Sequence, residues 1–203
     1  MDNGGGGDSH GSALRCFLAV KVPAAVRREL EPVAADLGRQ AREAGLKVSW
    51  TRPEGWHVTL RFLGEVATGR IEALSQALAA ALRTCPPLEV AAHGLFTLPP
   101  KGKPRVLAVA MKDGGGLAHM AANAQAAVEG LGFKSRRRPF RPHLTLARIR
   151  GGSGWRDFAP LLTDLKDRGF GRGGIDEAHL FSSRLTPEGA RYESLVRFRL
   201  EAI

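Results

Sequence analysis

Tyrosine, sulfur and long apolar runs are what this 203-residue sequence has least of, with one tyrosine, two cysteines and three methionines. Cys16 and Cys85 could close one bridge at most and lack the C-x-x-C spacing of a redox or zinc site. A disulfide scaffold is therefore excluded, and both read as small buried or partly buried thiols. No stretch approaches the roughly 18 to 20 consecutive apolar residues of a membrane span, and no apolar segment follows a basic start at the N-terminus. The expectation is a protein that is neither secreted nor membrane-spanning, placed in the cytoplasm by default. Acidic residues are scarce relative to basic ones: 20 Asp and Glu face 30 Lys and Arg, giving +10 at pH 7. That excess suits a polyanionic partner, but it equally suits an arginine-rich composition with no such partner, so charge alone decides nothing. At 43% hydrophobic and 25% charged residues, the rest of the composition is that of an ordinary globular protein with one domain as the prior.

Four glycines, Gly4 to Gly7, sit among small polar residues in a segment too poor in apolar surface to offset its ordering entropy, so residues 1–13 are expected to be a disordered tail. Order should begin in the apolar run from Leu14 to Val22, a buried strand. Pro23 then opens a helix with Val26, Leu30, Val33 and Leu37 on one face, which Pro32 should kink or restart. Strands around Val48 to Thr51 and Trp56 to Leu63 precede a helix bearing Ile71, Leu74, Leu78 and Leu82, ended by Pro86 and Pro87. A strand near Leu88 to Leu95 follows. Val106 to Met111, a helix with Leu117, Met120, Ala124, Val128 and Leu131, and His143 to Ile149 then repeat the order strand, helix, strand. A helix around Phe158 to Arg168, a glycine-rich link at Gly169 to Gly174, and strands at Glu177 to Ser183 and Tyr192 to Leu200 complete an α+β pattern.

The repeat carries chemistry. His57-Val58-Thr59-Leu60 is matched 86 residues later by His143-Leu144-Thr145-Leu146. With a strand period of two, each copy sets one imidazole and one hydroxyl on one face and two apolar side chains on the other. If the halves pack about a pseudo-two-fold axis, two His and two Thr line one cleft. Opening a phosphodiester with water requires a proton to leave the nucleophile and another to reach the departing oxygen. A neutral imidazole and an imidazolium can do both near pH 7, each transfer contributing roughly 10² to 10⁴-fold. The threonine hydroxyls can donate to phosphate oxygens, and Arg148 is the leading cation for the transition state. No His-Glu-x-x-His, cysteine cluster or carboxylate pair lies near either motif, so the chemistry reads as free of metal. His93 and His179 read as structural, His119 lies on a helix, His10 in the tail, and Trp50 and Trp56 are core or rim residues.

The two motifs, with Phe17 in an early strand, the run from His57 to Gly64, the run from Arg141 to Arg148, and Phe181 to Pro187 followed by Arg191-Tyr192-Glu193, resemble the 2H phosphoesterase superfamily. Within it they are most similar to the RNA 2′,3′-cyclic phosphodiesterases, formerly called 2′-5′ RNA ligases. The resemblance implies two pseudo-symmetric lobes spanning 14–203, each an antiparallel sheet with outer helices, and an active-site cleft between them. It implies hydrolysis of RNA 2′,3′-cyclic phosphate ends to 2′-phosphates without metal or other cofactor, with His57 as acid to O3′ and His143 as base to water. Thr59 and Thr145 would hold the phosphate, Arg148 would contact phosphate or base, and Phe62 would support the nucleobase. Strand parity places Arg148 and Phe62 opposite their histidines unless a bulge or bend follows the Thr, and it places Arg61 on the cleft face, where it could meet RNA. The basic stretch from Lys134 to Arg141 is expected at the cleft mouth, guiding the RNA backbone. Two other readings stay open: 2′-5′ ligation or cleavage of 2′-5′ linkages in small nucleotides, and a non-catalytic RNA-binding module. A monomer is the default.

Overall fold

The computed structural model describes residues 12–136, 138–186 and 189–201. Of the expected tail, 1–11 lie outside the described residues. Ser12 and Ala13 are already tied down: the Ser12 carbonyl accepts the Thr68 N–H at 2.9 Å, and Ala13 opens the first strand opposite Ala67.

The elements run β1 (Ala13–Lys21), α1 (Ala24–Glu43), β2 (Lys47–Trp50), β3 (His57–Ala67), α2 (Ile71–Leu82), β4 (Leu88–Leu98), β5 (Val106–Lys112), α3 (Gly116–Gly130), β6 (His143–Gly151), β7 (Gly169–Ile175), β8 (Glu177–Thr186) and β9 (Gly189–Arg199). The α+β expectation holds. Among the described residues all the strand pairings are antiparallel, and nine strands form one curled sheet in the order β7-β4-β5-β6-β3-β1-β8-β9, with β2 added beside β6. The two lobes are the halves of this sheet. They meet where β3 pairs with β6, at Val58 opposite Leu144.

Two apolar clusters lie on the sheet's two sides. Cys16, Leu18 and Val20 of β1 belong to the large cluster under the helices, with Leu30 and Leu37 of α1, Leu74, Leu78 and Leu82 of α2, and Met120 and Val128 of α3. Phe17 and Ala19, the alternate residues of β1, join Phe181 in a small cluster on the other side. That two-sided burial is why β1 reads as a continuous apolar run. Both cysteines are buried and free, and burial, reinforced by Glu65, pushes the Cys16 thiol up to about 11.

Three further sequence expectations change. First, α1 runs unbroken through Pro32, because the exposed proline removes its own N–H on the solvent side, while Val26, Leu30, Leu37 and Ala41 anchor the helix on the other. Second, the expected helix around 158–168 is only a helical turn at Trp155–Phe158 followed by a 3₁₀ turn at Ala159–Leu162. Third, the glycine-rich link is strand β7, paired with β4. Two of its four glycines answer to the start of α1: a Cβ on Gly173 would stand 2.7 Å from Pro23, and Gly171, at φ +82°, packs against Ala25. Close approach of the helix explains Gly171 and Gly173.

Candidate active site

His57 and His143 open β3 and β6, and the same local device fixes both rings. The Nδ1 of His57 is 2.7 Å from the Gly55 carbonyl, and the Nδ1 of His143 is 2.7 Å from the Arg141 carbonyl. A carbonyl only accepts, so each Nδ1 carries the proton and each Nε2 is left with a lone pair directed away from the clamp. Because β3 and β6 run antiparallel through Val58 and Leu144, the register carries His57 toward Thr145 and Thr59 toward His143. Val58, Leu60, Leu144 and Leu146 are buried on the helix side, whereas the two His and two Thr are half-exposed, as the period-two reading requires.

The parity question is settled by a bulge, and it occurs twice. Between β1 and β3 the register passes from Ala19 opposite Thr59 to Leu18 opposite Arg61, leaving Leu60 unpaired. Between β5 and β6 it passes from Ala108 opposite Thr145 to Leu107 opposite Ala147, leaving Leu146 unpaired. Each extra residue reverses the alternation beyond it. Phe62 thus emerges on the His57 side, its ring 6.0 Å from Phe17, which in turn lies 4.8 Å from His57. Arg148 emerges at the equivalent position of β6, where its charge reaches both His57 and Tyr192. Phe62 is 59% exposed, the one exposed large hydrophobic side chain among the described residues.

Arg61 is the corresponding correction. The same bulge turns it away from the cleft face, to 8% exposure, where its guanidinium donates to the Lys134 carbonyl. Of the basic stretch, Arg136 is likewise engaged, donating to the Leu60 carbonyl and lying over the Phe140 ring. Arg138 and Arg141 are exposed, and Arg137 lies outside the described residues.

The site is less symmetric than its motifs. His57 is walled by rings: Phe17 at 4.8 Å, Tyr192 edge-on at 5.0 Å and Phe181 at 6.3 Å. Phe181 stacks on Phe17 at 5.3 Å and on His179 at 5.2 Å. His179 is buried and bonded at 2.9 Å to both Ser194 and Glu177, which fits its structural reading. His143 has only Phe96, edge-on at 6.4 Å, among the ring contacts of the described residues. Burial therefore lowers the His57 pKa, His143 and Arg148 lower it further, and the Gly55 bond opposes them. The aromatic wall is the part that motif reading missed. Phe17, Phe181 and Tyr192 all lie in the stretches that carry the family resemblance, but nothing local brings three distant strands to one imidazole. Among the described residues no group of three or more His, Cys, Asp or Glu side chains is placed to hold a metal ion.

The comparisons with known proteins match the duplication and the fold. The model of the LigT-like phosphoesterases matches the chain twice, over residues 20–108 and 109–192, so each match carries one His-x-Thr strand. The chain belongs to the LigT-like phosphoesterase family. It is 29% identical over 182 residues to an RNA 2′,3′-cyclic phosphodiesterase of Archaeoglobus fulgidus, covering 90% of this chain and 98% of that one. It is 30% identical over 166 residues to one from Aeropyrum pernix, covering 78% and 93%. Among solved structures it resembles E. coli LigT complexed with 3′-AMP, with a TM-score of 0.72, 26% identity and coverage of 93% and 99%. A protein of Thermus thermophilus gives a TM-score of 0.77 at 26% identity, covering 92% and 98%.

Proposed function

We propose that this chain hydrolyses RNA 2′,3′-cyclic phosphate ends to 2′-phosphates, using its two histidines as acid and base and no metal. The observation that carries the reading is the duplicated clamp: two imidazoles on paired strands, both held in the tautomer that leaves Nε2 free. Water attacks phosphorus and gives a proton to the His143 Nε2. The P–O3′ bond breaks, and O3′ takes a proton from the His57 Nε2. The hydroxyls of Thr59 and Thr145 hold the non-bridging oxygens, the Arg148 guanidinium offsets the charge that builds on them, and Phe62 supports the terminal base.

The asymmetry of the walls supports this division of roles. Water must arrive from solvent, and His143 is the more open of the pair; the departing oxygen belongs on the enclosed side with His57. A lowered pKa makes imidazolium at His57 a strong proton donor, and the anionic phosphate, once bound, raises its occupancy. Among the described residues no helix is long and apolar enough to cross a membrane. On our reading the chain is one bilobal unit working as a monomer in the cytoplasm, and its surplus of positive charge attracts RNA.

The test is hydrolysis of an RNA oligonucleotide ending in a 2′,3′-cyclic phosphate, in excess EDTA, by wild type, His57→Ala and His143→Ala, each shown to be folded. Wild type should yield a 2′-phosphate, and each substitution should lose about 10² to 10⁴-fold in kcat. Binding without turnover would make the chain an RNA-binding module. Turnover confined to 2′-5′ linked dinucleotides, or joining of paired RNA halves, would assign the same histidines to that related chemistry.

A further inference from the structure

Each bulge leaves a carbonyl that the sheet ladder does not use in the ordinary way, and the two lobes satisfy theirs by different means. At β6 the Leu146 carbonyl accepts the backbone N–H of Thr51 at 2.8 Å, a continuation of the β2–β6 pairing. At β3 the Leu60 carbonyl accepts the Arg136 guanidinium instead. Arg61, the next residue on β3, reaches back to the Lys134 carbonyl, so the two bonds form a reciprocal staple between the bulge and the segment that leads into His143. The chain leading to each catalytic strand thus braces the bulge of the other, by backbone in one lobe and by arginine in the other.

The arrangement is costly for a surface loop contact. Two guanidiniums are brought close together and partly removed from water, and the Arg61 Nε is buried with no hydrogen-bond partner. Burial disfavours the charge on both, and Arg61 further disfavours that on Arg136. Glu129 offsets part of this at Arg61, and Phe140 lies under Arg136 at 5.0 Å. What the staple secures is the position of the extra residue. Sliding the bulge along β3 would leave His57 and Thr59 where they are and turn Phe62 from the cleft face to the helix face.

We propose that Arg136 and Arg61 are positioning residues that lock the β3 bulge and so hold Phe62 in the cleft, fixing how tightly the RNA end is gripped. The consequence for substrate rests on the reading of Phe62 given above; the consequence for the backbone does not. The experiment therefore has two readouts on the full chain with Arg136→Met, which keeps most of the stem and removes the donor. In NMR spectra the backbone resonances of Leu60, Arg61 and Phe62 should move while those of His57 and Thr59 hold. With an oligonucleotide ending in a cyclic phosphate, KM should rise roughly three- to tenfold, the scale of one lost hydrogen bond, with kcat little changed. Arg136→Lys should recover part of both effects. In a Phe62→Ala background, Arg136→Met should add no further rise in KM. Unmoved resonances at 60–62, or KM effects that multiply in the double variant, would overturn the proposal. If the resonances move but Phe62→Ala leaves KM unchanged, the staple stands and the base contact of Phe62 falls. If wild type turns nothing over, the phosphodiesterase reading falls and the resonances still decide the staple. Should Arg136→Met not fold, Arg136→Lys carries the same resonance comparison.

Discussion

At the scale of single residues, the two histidines share one sequence pattern and one backbone clamp but not one environment. His57 lies against Phe17 and Tyr192 with positive neighbours, and each of these favours its neutral form. An NMR titration should therefore give a His57 midpoint below the ordinary imidazole value of about 6.5, so that the ring is neutral in the free protein at pH 7. Adding inorganic phosphate should raise that midpoint, because an anion in the cleft favours the cation. A midpoint above 6.5 in the free protein, or none that responds to phosphate, would contradict the electrostatic picture. Strand alternation makes the faces of His57, Thr59, His143 and Thr145 legible from sequence. The outward turn of Phe62 and Arg148 and the inward turn of Arg61 are not, because they depend on the unpaired residue that follows Thr59 and Thr145, and nothing in His-x-Thr-Leu marks where pairing will slip.

At the scale of elements, bulges shape both the site and the sheet around it. A further register shift lies in β4 between His93 and Leu95, at Gly94, whose φ is +71°. The N–H of Gly94 donates to the Arg168 carbonyl at 2.8 Å, and a Cβ there would stand 2.2 Å from the Lys166 carbonyl oxygen. Gly94→Ala should therefore cost more than the ~1 to 2 kcal/mol of left-handed backbone alone, since rigid backbone must also move. Urea denaturation at pH 7 should show a lowered midpoint with an unchanged slope. A loss under ~0.5 kcal/mol would show that the segment after the 3₁₀ turn yields freely. The amphipathic helices are legible because burying one face demands a 3.6-residue period, as Leu74, Leu78 and Leu82 of α2 display. Strand β7 is not, because Gly171 and Gly173 are demanded by a helix distant in sequence.

At the scale of the whole molecule, the +10 charge bears on a partner only through where the cations stand. Arg136 is committed to the β3 bulge, which leaves Lys134, Arg138 and Arg141 as the exposed cations of the basic stretch among the described residues. Substituting Arg138 and Arg141 by Gln should weaken oligonucleotide binding. Each contact with a single-strand phosphate that is lost should flatten the plot of log affinity against log salt by about 0.7. A dinucleotide that ends at the cleft should be unaffected. An unchanged salt slope for the oligonucleotide would remove this stretch from the RNA path.

The class, the duplication and the candidate site residues are all readable along the chain, because each is local: period two places His beside Thr, period 3.6 makes the helix faces, and the repeat of a strand motif after a helix implies a second lobe. What surrounds those residues emerges only on folding. One continuous sheet sets Val58 opposite Leu144, two bulges rotate Phe62 and Arg148 onto the cleft face, and rings from three other strands enclose one histidine and leave the other open. These are properties of strand pairing across tens of residues. Register is set by which side chains can be buried together, and no window of sequence contains both partners.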